Sequence, residues 1–209
     1  YRTMNIIVTG ANQGIGYYMA LELLNEGNNV TVLDIDISSL TKLQQKYGQQ
    51  LLPIACDVCH NDKMKAAVSQ SAQMYGGIDI AIHNACLCTF DSLENTPIEI
   101  YQQVLEVNFF GALRLTKAVI PYMEKGQKGK VIFTSSGVGV TGFYNISPYA
   151  LSKGAIEALA KCLYQEYKDT GISFHLFHPQ LTQTTSASPL PVPKEMKAKP
   201  DVVGTGLAK

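Results

Sequence analysis

The sequence has no surplus of charge of either sign: 17 Lys and Arg stand against 17 Asp and Glu, and the pI is near 7.0. A nucleic acid or an anionic membrane is held by a basic patch, and the charge balance indicates none. No apolar run approaches the ~20 residues that cross a bilayer. The start, Tyr1-Arg2-Thr3-Met4, leads directly into an apolar strand, which is not a signal-peptide pattern, and Tyr1 in place of Met points to a tag or a trimmed terminus. Cysteine is sparse: five residues, odd in number and scattered, fit a reducing, cytoplasmic setting better than a disulfide framework. Cys56-x-x-Cys59 has no second Cys or His pair at zinc spacing, so it is read as packing and no metal site is expected. Cys86 and Cys88 are read in the same way. What the chain does have is apolar content, 46% of 209 residues, enough for one sizeable core and one domain over residues 1–209.

Short apolar runs alternate with amphipathic ones. Strands are expected at Met4–Thr9, Asn29–Leu33, Leu51–Ala55, Ile78–Ile82, Lys130–Thr134 and Ile172–Phe177. The first helix turns Met19, Ala20, Leu23 and Leu24 inward. Ser38 is expected to cap the second helix, which stops at Gly48, and Gly76-Gly77 to close the third. Thr96-Pro97 opens a fourth that reaches about Glu106, a fifth covers Phe109 to Lys125, and a sixth runs from Pro148 to about Lys168. This alternation predicts an α/β fold: a doubly wound, mostly parallel sheet with helices on both faces, the Rossmann arrangement. Residues 182–200 carry four of the nine prolines and are expected to form a long loop, a lid over the active site.

Gly10-x-x-x-Gly14-x-Gly16 lies between the first strand and the first helix. Glycines there permit a tight turn and close approach of a pyrophosphate, which then faces the helix N-terminus. Asp34 ends the second strand 18 residues after Gly16, close to the ~20 expected of a carboxylate that binds the adenosine ribose hydroxyls. A 2′-phosphate would meet that charge with no base at Gln13 or Ile35 to offset it, which favours NAD(H) over NADP(H). Asp36 is given no role.

Ser136 follows the fifth strand, at the sheet end where open α/β folds bind ligands. Ser147 is the expected N-cap of the next helix, with Pro148 at its first position. Tyr149 and Lys153 then share a helix face. A phenol ordinarily ionises near ~10, and an adjacent ammonium favours the phenolate, so Tyr149 is a candidate proton donor and acceptor. Taken alone, Tyr-x-x-x-Lys fits a solvated helix face equally well.

Taken together, Thr9-Gly10-x-x-x-Gly14-x-Gly16, Asp57-Val58, Asn84-Ala85, Asn108, Ser136, Tyr149-x-x-x-Lys153 and Pro179 resemble the short-chain dehydrogenase/reductase family, in its order and over nearly the whole chain. Tyr149 follows Ser136 by 13 residues, the family spacing. The resemblance implies an NAD(P)-dependent oxidoreductase that interconverts a secondary alcohol and a ketone. It implies that Tyr149 exchanges a proton with the substrate oxygen while hydride passes to or from the nicotinamide, and that Ser136 stabilises that oxygen. Lys153 would lower the tyrosine pKa and hold the nicotinamide ribose, and Asn108 would hold a water linking Lys153 to solvent. Cofactor contacts are implied for Gly10, Asn12, Gln13, Gly14, Ile15, Gly16, Asp34, Asp57, Val58, Asn84, Ala85, Pro179, Thr182 and Thr184, besides Tyr149 and Lys153. A homodimer or homotetramer is implied through the helices around 109–125 and 148–168.

Three departures from the family pattern stand out. His83-Asn84-Ala85-Cys86 replaces Asn-Asn-Ala-Gly, Gln180 replaces the glycine after Pro179, and the further helix and seventh strand of relatives lie beyond the last residue. Leu87, Phe90, Phe143, Tyr144, Leu181 and Leu190 would give the pocket an apolar wall and so favour a hydrophobic substrate, or else would pack the lid. His60 and His175 are read as surface or structural, and His178 as satisfied by local backbone. Two rival readings remain: an NADPH-dependent carbonyl reductase resembling the 3-ketosphinganine reductases, and a nucleotide-sensing or scaffold protein without turnover.

Overall fold

The computed structural model describes residues 2–184 and 194–208. Six strands form one parallel sheet: β1 (Asn5–Thr9), β2 (Asn29–Asp34), β3 (Leu51–Ala55), β4 (Ile80–His83), β5 (Gly129–Thr134) and β6 (Ile172–Phe177). Their order is β3-β2-β1-β4-β5-β6. The chain winds outward from β1 to β3, then returns to lay β4 against the other side of β1, in register Ile6–Ile80 to Thr9–His83. Neighbouring loops at that reversal run in opposite directions and leave a crevice at the carboxyl ends of β1 and β4.

Helices α1 (Gly14–Asn25), α2 (Ser38–Tyr47), α3 (Asn61–Tyr75), α4 (Ile98–Leu105), α5 (Gly111–Lys125), α6 (Val138–Thr141), α7 (Ser147–Tyr167) and α8 (Pro200–Ala208) complete the described elements. Alternate residues of a strand face opposite sides, and the sheet accordingly carries two cores. On one side Ile7, Ala81, Val131 and Phe133 meet α3, α5 and α7 through Met64, Val68, Leu115, Met123 and Ile156. On the other, Ile6, Val8, Val30 and Val32 meet α1 and α2 through Met19, Leu23, Leu24 and Leu40. Helix α8 packs on α1 through Gly204, where a Cβ would come within 2.6 Å of the Ile15 carbonyl oxygen.

Local chemistry departs from expectation at three places. Ser38 is the first residue of α2, and its N–H is capped by the Asp36 carboxylate at 2.9 Å. Ser147 likewise lies inside α7, with Ile146 at the N-cap, and its hydroxyl meets the Tyr101 hydroxyl at 2.5 Å. Helices α4 and α5 are continuous through a π turn at Glu106–Phe110, which contains Asn108. Such turns insert one residue into a helix and are frequent at functional sites. The base of the expected lid is a parallel bridge between Thr182 and Ala198, reinforced by Gln183 N–H to Ala198 O at 2.8 Å and Ala198 N–H to Leu181 O at 2.7 Å. Residues 185–193 of that segment, Leu190 among them, lie outside the described residues.

Candidate active site

The glycine loop is shaped by backbone contact. Gly10 has φ +69°, and a Cβ there would lie 2.5 Å from the Ala85 Cα. Gly16 packs against the Gly10 carbonyl and the Asn84 amide, leaving no room for a side chain. Gly14, φ +63°, is open: a Cβ would touch only the Thr184 methyl, at 3.6 Å. The N-cap of α1, Gln13, makes no side-chain capping bond, and the first turn holds no acid. The first-turn N–H groups are thus free of side-chain caps beside a loop that lets an anion approach, which is the environment a pyrophosphate requires.

Asp34 ends β2 next to this loop. Its Oδ2 accepts from Asn12 N–H at 3.0 Å and its Oδ1 from Asp36 N–H at 3.2 Å, and Asn12 Oδ1 in turn accepts from Ser39 N–H at 3.0 Å. A cavity of about 640 Å³ opens between α1 and α2, lined by Asn12, Gln13, Tyr17, Ser38, Ser39 and Lys42. Asp57 is engaged in its own turn, its Oδ1 accepting from Cys59 N–H at 2.9 Å. Val58 is buried in the core, where a Cβ on Gly111 would press on it at 2.8 Å.

Across the crevice, β4 and β5 are tied to β1 by side chains. Thr9 Oγ1 accepts from the N–H groups of Asn84 and Ala85, both at 3.1 Å. Its own proton therefore goes to Nδ1 of His83 at 3.0 Å, and His83 Nε2–H donates to the Val107 carbonyl at 3.1 Å. The ring is neutral and 1% exposed; burial, with the Lys153 charge adding to it, pushes its pKa down to about 3. Asn84 donates to Gly10 O at 2.8 Å and accepts from the Thr134 hydroxyl at 3.2 Å, so one amide spans three strand ends.

Ser136 and Tyr149 come together at the end of β5, the Ser136 hydroxyl acting on the phenol so as to favour its ionised form. Lys153 is 2% exposed, its Nζ donates to Thr134 O at 2.7 Å, and it stands 5.5 Å from the Tyr149 ring centroid. Gly139 makes room for this lysine; a Cβ there would meet the Lys153 Cβ at 2.9 Å. The expected lowering of the Tyr149 pKa by Lys153 is not what the structure has. Burial raises the phenol, the nearby thiols of Cys86 and Cys88 add to the rise, and the Ser136 hydroxyl opposes it. Cys88, itself pushed up to about 12 by burial, and the exposed Cys86 are thus neighbours of the phenol, not packing cysteines remote from it.

Asn108 is fully buried. Its Oδ1 accepts from Leu87 N–H at 2.7 Å, and its Nδ2 donates to Leu87 O and to the Ser152 hydroxyl, both at 2.9 Å. Ser152 passes its own proton to Tyr149 O at 2.7 Å. Both amide hydrogens are spent, so this side chain braces the Leu87 loop against the first turn of α7. His178 also differs from expectation: it pairs with the Glu157 carboxylate, not with local backbone. Phe143 and Tyr144 stack with ring centroids 4.5 Å apart and remain exposed, and Val140 and Leu181 are exposed as well. Thr182 is buried and Pro179 half-buried at the lid base.

Sequence reasoning missed Glu157, Gly139 and the tie from His83 to Val107. Each depends on a partner from a distant element, and only the departure at His83 was visible as a signal. Among the described residues no helix is long and apolar enough to cross a membrane.

A family model described as short chain dehydrogenase matches residues 4–193. "Dehydrogenase/reductase SDR family member 4" of Bos taurus is 30% identical over 183 residues, 86% of this chain and 66% of that protein. "3-dehydrosphinganine reductase" of Danio rerio is 27% identical over 204 residues, 94% of this chain and 60% of that protein. The chain thus spans roughly three fifths to two thirds of these relatives. Among solved structures, a short-chain type dehydrogenase/reductase from Mycobacterium marinum superposes with a TM-score of 0.86 at 28% identity, covering 98% of this chain and 85% of that one. With the strand order, the glycine loop and the Ser136–Tyr149–Lys153 grouping already in place, the match over most of its length makes this chain a member of the short-chain dehydrogenase/reductase family.

Proposed function

We propose that the chain interconverts a secondary alcohol and a ketone with NAD(H), on an apolar substrate. The observation that carries this reading is the meeting of Ser136 and Tyr149 at the β5 end, over a buried Lys153 and across the crevice from the glycine loop. The nicotinamide, when bound, supplies or accepts the hydride. The glycine loop, Asp34, Asn84, Ala85, Pro179, Thr182 and Thr184 would hold the dinucleotide, with Asp57 and Val58 at its adenine end. Tyr149 gives its proton to the substrate oxygen in reduction and takes one back in oxidation. Ser136 donates to the same oxygen as charge grows on it. The buried Lys153 ammonium, 5.5 Å from the Tyr149 ring centroid, stabilises the phenolate once it forms. Because burial raises the phenol, oxidation gains rate as pH rises above neutrality, whereas reduction starts from the protonated form that is already present.

The stacked and exposed Phe143 and Tyr144, with Val140 and Leu181 exposed as well, support an extended hydrophobic substrate, since exposed apolar side chains of this kind mark binding surfaces. A homodimer through α5 and α7 belongs to the same proposal; a monomer in sedimentation would remove it. The second reading, an NADPH-dependent carbonyl reductase, is favoured in its cofactor by Lys42, Ser38 and Ser39 on the cavity beside Asn12, and in its reductive direction by the name of the Danio rerio relative, a reductase. Titration with NADH and with NADPH, followed by nicotinamide fluorescence, decides between them. Preference for NADH by about tenfold, or ~1.4 kcal/mol, supports the role of Asp34. Preference for NADPH transfers selection to Lys42, and binding of both without turnover of any hydrophobic alcohol or ketone returns the protein to a sensing role.

A further inference from the structure

Two residues adjoining the proposed machinery converge with α7 on a single oxygen. Glu157 lies one helical turn beyond Lys153 on α7 and is 9% exposed. Its Oε1 accepts from the Ser135 hydroxyl at 2.7 Å and from His178 Nε2–H. Ser135 is fully buried and directly precedes Ser136; its N–H also holds Phe177 O at 2.7 Å, at the end of β6. His178 directly precedes Pro179. Each partner of the carboxylate is therefore one peptide bond from a residue assigned to substrate or cofactor.

A buried carboxylate is tolerated only where donors satisfy it. Burial raises Glu157, but the bonds from Ser135 and His178 and the charges of His178 and Lys161 outweigh it and hold the group below its ordinary value. The group is ionised at neutral pH, and bonds to an ionised acceptor are stronger and more directional than neutral ones. Thr134, just before Ser135, is tied separately to Lys153 and Asn84, but among the described residues the bond to Glu157 is the one side-chain hydrogen bond that Ser135 and His178 each make, and the residues after both turns, Gly137 and Gln180, are exposed. A shift of about 1 Å at a catalytic group costs roughly a hundredfold in rate, so what fixes these two turns relative to α7 also fixes the chemistry.

We propose that Glu157 is a positioning residue: it clamps the Ser135–Ser136 turn and the His178–Pro179 turn to α7, holding the substrate-side hydroxyl and the cofactor-side hinge in one geometry around Tyr149 and Lys153. This inference rests on the oxidoreductase reading above, and its two arms separate experimentally. Ser135→Ala frees the β5 arm and lowers kcat about tenfold or more, with a smaller effect on the NADH dissociation constant. His178→Ala frees the β6 arm and weakens NADH binding more than it lowers kcat. Glu157→Ala does both, and adding Ser135→Ala to it lowers kcat no further, as expected of residues acting as one unit. Glu157→Gln keeps an acceptor for the Ser135 hydroxyl and recovers most of kcat, whereas Glu157→Met, of similar size but without that acceptor, does not, which separates the clamp from packing.

Hydrogen exchange supplies a readout independent of turnover. In Glu157→Ala, and in the double variant Ser135→Ala/His178→Ala should the alanine at 157 not fold, amides of 135–139 and 176–180 lose protection while those of β1–β3 do not. Unchanged kcat and NADH binding in Ser135→Ala and Glu157→Ala, or a protection loss spread over all of α7, overturns the clamp. Protection lost in those two segments alone, in a protein that turns over no alcohol or ketone, sustains the clamp and sinks the oxidoreductase reading instead.

Discussion

The two sides of the crevice are built by different means. On the β1–β2 side the contacts are made by main chain: Gly10 against Ala85, Gly16 against the Gly10 carbonyl, Asn12 N–H on Asp34. On the β4–β5 side they are made by buried side chains: His83 between Thr9 and Val107, Asn108 between Leu87 and Ser152, Lys153 on Thr134, Glu157 between Ser135 and His178. A backbone cradle serves an anion common to all dinucleotides and needs only glycines at the right steps. A proton-transfer site needs ionisable groups held apart from water, and each of those must be satisfied by a partner.

This contrast can be tested, starting with the largest effect. Tyr149→Phe removes the exchangeable proton and lowers kcat by about 10³-fold, within the range for a general acid, while NADH affinity by fluorescence stays within a few-fold. Comparable losses of both would mean that the β4–β5 side serves binding as much as chemistry. Gly10→Ala attacks the other side: at φ +69° and 2.5 Å from Ala85, it costs about 2–3 kcal/mol in urea unfolding and weakens NADH binding. A neutral Gly10→Ala would show the loop able to relax, and the cradle argument would fail.

Next in size is a pH effect. His83 keeps a pKa of about 3 in the fold against an ordinary 6.5. The unfolded chain therefore takes up a proton there below about pH 6.5 that the native state refuses, and stability present above that pH is lost as pH falls towards 3. Between pH 7 and pH 5 the loss attributable to His83 is about 2 kcal/mol, and His83→Asn should flatten that part of the stability profile. Equal slopes in the two proteins would mean that the ring is protonated in the fold. Smallest is Asp34→Asn, which removes one charge from the cradle and narrows the preference for NADH over NADPH by about tenfold, ~1.4 kcal/mol. No change would assign selectivity to the Lys42 cavity.

The same contrast explains what could be read in the sequence. Six strands in an alternating pattern were legible, and with them the sheet, because hydrophobic period is a local property. The glycine loop and Asp34 were legible because a backbone cradle is written as spacing. Tyr149, Lys153 and Ser136 were found by their order along the chain, which brought them to one sheet end as expected. The state of Tyr149 was not legible, since burial and the thiols of Cys86 and Cys88 outweigh the lysine that sequence places one turn away. Nor was the fate of Asn108, whose donors go to Leu87 and Ser152, nor that of His178, claimed by Glu157 from another element. Ser38 and Ser147 both look like caps, yet Asp36 and Ile146 occupy the positions that matter.

The π turn at Glu106–Phe110 has a consequence for how this chain tolerates change. A regular helix advances about 100° per residue, so one inserted residue rotates everything after it by nearly a third of a circle. The path from Ile98 to Lys125 is continuous, yet its first half turns towards α7 and its second towards α3. The extra residue sets the phase between the two halves. Deleting any single residue from 106–110 would leave the helix intact by spectroscopy while turning Leu115 and Met123 out of the core, or Asn108 away from Leu87. Length at this point is therefore under tighter constraint than residue identity, as in a gear where a missing tooth matters more than what the teeth are made of.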